Sequence, residues 1–120
     1  MEDREIIITL SKISVIKATP ATLLMDNPQM LVDWSMFLAS HLIFVGQETV
    51  RAEKRYWQKM RDFRREEKSK VDAEIKANAT DEFQEWKELK YLREDMTVLL
   101  AILKKVFDEI REEKFLSNKI

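Results

Sequence analysis

The sequence predicts an all-α protein built on one long antiparallel helical hairpin, and three observations carry that prediction. Among 120 residues there is one glycine, Gly46, and there are two prolines, Pro20 and Pro28. That is too little turn chemistry for a sheet or a nucleotide-binding βαβ unit. In the C-terminal half, Trp86, Leu89, Arg93, Met96, Leu100, Leu103, Phe107 and Ile110 recur at spacings of three and four, the heptad pattern of a packed helix with one charged interruption. Asn78-Ala79-Thr80-Asp81-Glu82 is the single turn signal in that half, and a short connection between two helices makes them antiparallel neighbours.

Residues 1–27 form an N-terminal segment. Ile6, Ile7, Leu10 and Ile13 fall at helical spacing, and a short helix is expected over 3–13, although the β-branched run EIIITLSKISVI also suits a strand. Thr19-Pro20 interrupts regular structure, because the residue before proline is driven out of the helical region. Residues 20–27 then read as a linker or a single helical turn. The hairpin occupies residues 28–120. Asp26 or Asn27 can cap a helix whose first residue is Pro28. The helical pattern continues to about residue 77, a helix of roughly 75 Å, with a kink or a close backbone contact expected at Gly46. Thr80 is the expected cap of a second helix over about 81–114, with Asp81 and Glu82 at the positive end of its dipole.

Both ends of the hairpin carry more apolar surface than one partner helix covers. Leu92, Leu99 and Val106 form a second row beside the seam, and residues 30–45 (MLVDWSMFLASHLIFV) are mostly apolar. This excess predicts a third helix from the N-terminus and self-association. Trp34, Leu38, His41, Leu42, Leu99, Leu103, Val106, Phe107 and Ile110 are the expected interface between copies. The 30–45 window is shorter than the ~20 residues that span a bilayer, and it contains Asp33 and His41. It reads as a buried helix, with no membrane partner. No basic run precedes an apolar one at the N-terminus, so a cytoplasmic protein is expected.

The net charge of −1 conceals strong segregation. Residues 51–70 hold nine basic and four acidic side chains, net +5, between acidic stretches. On a helical projection Arg51, Lys54, Arg55, Arg61, Arg65 and Lys68 share one side, and Trp57 borders it near Arg61 and Arg64. With Lys59 these make a basic stripe flanked by an aromatic ring. Cations on one face neutralise phosphates, and aromatic planes stack on unpaired bases. Two plainer accounts compete. One is a solvated face held by pairs such as Glu66–Lys70 and Lys59–Asp62. The other is neutralisation across the hairpin by Asp81, Glu82, Glu85, Glu88, Glu94 and Asp95. The stripe lies opposite the packing face formed by Ala52, Tyr56, Met60, Phe63 and Glu67, which favours binding.

Catalytic classes are poorly served. There is no cysteine and one histidine, so thiolate nucleophiles and Cys-ligated zinc are excluded and a hydrolase triad would rest on His41 alone. His41 lies in the most apolar stretch and reads as a core or interface side chain. The methionines are scattered and read as gap-fillers. Glu85 and Glu88 lack the Glu-x-x-His companions of di-iron bundles. No catalytic residue, metal or cofactor is expected.

The order of these features resembles the UvsY-like recombination mediators of T-even phages and related short helical-hairpin proteins of phage recombination modules. The resemblance is carried by NPQMLVDWSMFLASH, the basic RAEKRYWQKM, the turn near ATDEF and the terminal TVLLAILKKVFDEIREEKF, over about residues 10–115. It implies a non-catalytic protein that binds single-stranded DNA, assembles as a ring-like homo-oligomer, and helps load a recombinase in place of a single-strand-binding protein. The basic groups of the first long helix, Arg51, Lys54, Arg55, Lys59, Arg61, Arg64, Arg65 and Lys68, with Trp57, would carry DNA binding. The alternative is a helical protein-interaction module, such as a phage inhibitor or assembly factor, whose basic face meets an acidic protein.

Overall fold

The computed structural model describes the backbone of residues 3–119 and the side chains of residues 4–114. Five helices follow in order: α1 (Asp3–Ala18), α2 (Ala21–Met25), α3 (Pro28–Glu66), α4 (Lys70–Asn78) and α5 (Asp81–Lys119). There is no strand among the described residues. The protein is an all-α helical hairpin in which α3 packs against α5.

The β-branched N-terminal run is helical, and α1 extends five residues beyond the expected 13 to Ala18. The buried Thr9 hydroxyl is satisfied within the helix, donating to the Glu5 carbonyl at 2.8 Å. Thr9, Ile13 and Ile16 form its buried stripe, a helical spacing that settles the choice against a strand. Pro20 then stands at the cap of the single-turn helix α2. α3 begins at Pro28 as expected, but the Asn27 amide donates backwards to the Leu23 carbonyl at 2.9 Å rather than capping it.

The expected helix over 28–77 is broken. Glu67, Lys68 and Ser69 leave the helical path, and the chain reverses there rather than at 78–81. Tyr56 Oη donates to Asn78 Oδ1 at 2.6 Å. That contact is possible only if α4 runs back along α3, because a continuous helix would put Asn78 ~33 Å along the axis from Tyr56. The cause is local. Residues 64–70 (RREEKSK) offer no apolar side chain, and the Ser69 hydroxyl accepts the Asp72 amide at 3.4 Å, a side-chain cap that competes with helix continuation. Lys76 pairs with Glu67 across the turn. The Asn78–Thr80 signal marks a second, tighter break, where Thr80 Oγ1 accepts the Phe83 amide at 3.3 Å and so caps α5.

Two compact units divide the chain. One comprises residues 1–42 and 95–120, joining α1, α2, the start of α3 and the rest of α5 beyond Glu94. Its core holds Ile13, Ile16, Leu24, Leu31, Trp34, Leu38, Met96, Leu99, Leu103 and Val106. The expected third helix is therefore present. The other unit, Ile43–Glu94, holds Val45, Ala52, Tyr56, Met60, Ala73, Ala77, Leu89 and Leu92. Along α3, Leu31, Leu38, Val45 and Ala52 recur every seven residues and each is 0% exposed.

Two expectations about faces are corrected. The buried stripe of α5 is Leu89, Leu92, Met96, Leu99, Leu103 and Val106, rotated from the row containing Arg93, Leu100 and Phe107. Arg93 and Phe107 are exposed and Leu100 is half-buried. The rotation follows from desolvation, since a buried guanidinium costs far more than a buried Leu92 gains. Gly46 produces no break in α3, and a Cβ built there would meet only Arg93 Nε at 3.9 Å. The apolar stretch of α3 has one buried face. Its best 18-residue window has a mean hydropathy of 1.2 and is 22% buried, so by length and composition alone it reaches the measure of a membrane-crossing helix.

Candidate nucleic-acid interface

The basic stripe lies on the C-terminal half of α3, inside the Ile43–Glu94 unit. Lys54, Arg61 and Arg65 fall within about 40° of one another around the helix axis, the centre of the stripe. Arg51, Arg55 and Lys59 extend it in one direction, and Trp57 and Arg64 lie in the other. Lys68 is not on α3 at all but in the turn that follows.

The two edges of the stripe differ. On the edge turned towards α5, Arg55 Nη2 donates to Glu85 Oε1 at 2.7 Å, and Lys59 Nζ lies 4.0 Å from Glu82 Oε1. Arg51 Nη1 pairs with the buried Glu48 at 2.6 Å. Neutralisation across the hairpin is thus real for two cations, while the expected Glu66–Lys70 and Lys59–Asp62 pairs do not form. Lys54, Arg61, Arg64, Arg65 and Lys68 are exposed and form no ion pair among the described residues. Arg61 Nη2 donates only to the neutral Gln58 carbonyl oxygen at 3.0 Å. Arg64 and Arg65 in the last turn of α3 also complement its dipole.

An aromatic cluster fixes the surface beneath the stripe. Tyr56, Met60 and Ala77 are buried together, with Phe63, Phe83 and Trp86 packed on them. Tyr56 stacks on Trp86 with ring centroids 5.0 Å apart and 21° between planes. Burial, with help from the Glu74 charge and against that of Arg64, raises the Tyr56 hydroxyl above its ordinary 10.0. Trp57, whose ring lies 5.3 Å from that of Tyr56, projects outwards and is 44% exposed. Its Nε1 donates weakly to Glu53 at 3.4 Å, and the part of the indole that does not pack on Tyr56 is open to solvent.

No family model, curated protein or solved structure matches this chain. Its own geometry therefore carries the functional reading.

The side chains expected between copies are placed differently. Trp34, Leu38, Leu99, Leu103 and Val106 are buried in the chain's own core, where they hold α1, α3 and α5 together and cannot meet a second copy. His41, Leu42 and Ile110 are half-buried and Phe107 is exposed. His41 stacks on Phe37 with centroids 4.0 Å apart, its Nδ1 2.9 Å from the Phe37 carbonyl. Part of what remains outside in this unit is an open groove of about 610 Å³ lined by Val32, Met36, Ala39, Leu100, Ala101 and Phe107, with Lys104 at hand.

Sequence reasoning missed Lys87 and Lys90, which sit 5.2 and 6.0 Å from the rings of Phe83 and Trp86. Each lysine follows its aromatic by four residues on α5, and that spacing was the available signal. It also missed Gln58, whose amide links Arg61 to Asp62.

Proposed function

We propose that this protein is a non-catalytic adaptor that binds single-stranded nucleic acid through Lys54, Arg61, Arg64, Arg65 and Lys68, with Trp57 stacking on an unpaired base. The supporting observation is the group of five exposed cations without a carboxylate partner among the described residues, beside a partly exposed indole. A double helix hides its base faces, whereas a single strand offers both phosphates and bases to such a surface. The resemblance to phage recombination mediators extends the reading to single-stranded DNA and to the loading of a recombinase in place of a single-strand-binding protein. Assembly of several copies would multiply the contacts of one short stripe.

The test is charge reversal at Lys54, Arg61 and Arg65. The triple variant to Glu should lose binding to a fluorescent oligothymidine at low salt while its circular dichroism stays that of the wild type. Undiminished binding would contradict the proposal.

A second reading, a protein-interaction module, draws on the apolar groove of the other unit. If it holds, the triple variant keeps the protein's biological activity, and a charged substitution at Met36 abolishes it.

A further inference from the structure

The paired edge of the stripe suggests that its capacity for phosphate is limited from within. Arg55 and Lys59 are four residues apart on α3, and Glu85 and Glu82 are three apart on α5, so the two pairs stand as successive rungs between antiparallel helices. All four side chains remain partly open to solvent. Exposed ion pairs of this kind hold by a small margin and exchange readily with other partners. A phosphate approaching Arg55 or Lys59 meets a carboxylate already in place, and that carboxylate repels it. The cations at Lys54, Arg61 and Arg65 have no such neighbour among the described residues.

We infer that Glu82 and Glu85 act as internal competitors of the nucleic-acid backbone, holding Arg55 and Lys59 out of the binding surface and setting its affinity. The inference rests on the reading of the stripe as a single-strand interface. It assigns two acidic residues of α5 a regulatory part in that interface, and divides the stripe into five working cations, two held in reserve by α5, and Arg51, which Glu48 holds within α3.

The experiment compares the wild type, the double variant Glu82→Gln/Glu85→Gln, and a control, Glu88→Gln/Glu94→Gln, that removes the same charge from exposed positions of α5 outside these pairs. Affinity for oligothymidine is measured across a salt series. Each phosphate newly neutralised steepens the logarithmic salt dependence by about 0.7 for a single strand. The Glu82/Glu85 variant should therefore bind more tightly at low salt, with a slope steeper by about 1.4, while the control keeps the wild-type slope. A wild type that binds, paired with a double variant whose slope is unchanged or matches the control, overturns the inference and leaves the interface standing. Absence of binding in wild type and double variant alike overturns both.

Discussion

Tyr56 shows how one side chain joins the scaffold to the surface above it. Its ring stacks on Trp86, its hydroxyl reaches Asn78 on α4, and its neighbour in sequence, Trp57, is left outside. A Tyr56→Phe substitution keeps the ring packing and removes the hydrogen bond, leaving Asn78 free to turn to water. Denaturant unfolding should show a loss of about 1 kcal/mol. The pH dependence has a definite sign. Because burial raises the folded-state hydroxyl above 10.0, the unfolded chain ionises first. Stability is complete below that value and falls as pH climbs through it towards the folded-state value. The phenylalanine variant should lack this part of the alkaline decline. Trp57 has no comparable structural task. Its weak bond to Glu53 and its exposed portion suit it to an external partner.

At the scale of elements, the two long helices were legible because their apolar residues keep a heptad period over many turns. Leu31, Leu38, Val45 and Ala52 in α3, and Leu89 through Val106 in α5, carry it without a gap. The azimuth of the buried stripe was harder to read. Trp86, Leu89, Met96 and Leu103 fit two overlapping rows, and only the desolvation cost of Arg93 decides between them. The reversal at Glu67–Ser69 was hidden for a related reason. Charged residues are good helix formers, and the breaking signal is a single serine whose hydroxyl caps α4. A glycine inside a helix predicts a kink or a close backbone contact at Gly46, yet α3 runs through it and a methyl group there would meet only the Arg93 side chain at an ordinary distance. Replacing it by alanine should raise stability by about 0.5–1 kcal/mol, because the unfolded chain loses backbone freedom. Thermal unfolding checks this, and a lower midpoint would mean that the glycine is needed for contact.

For the whole molecule, the apolar excess has been divided rather than left free. α1 and α2 cover Leu99, Leu103 and Val106 in one unit, which accounts for most of what the sequence reserved for contacts between copies. The remaining groove is lined by residues such as Met36 and Phe107 that a two-helix reading could not separate from the core. Charge shows the same division. A net charge of −1 holds a +5 block, and folding neutralises one edge of it and exposes the other. The basic residues were legible from sequence, but which of them keep their charge unpaired depends on where Glu82 and Glu85 meet α3. The salt dependence of the intact protein's affinity for oligothymidine tests the account most directly. Five unpaired cations predict a logarithmic slope of about −3.5 for a single strand. Binding that ignores salt, or no binding at low salt, would contradict it.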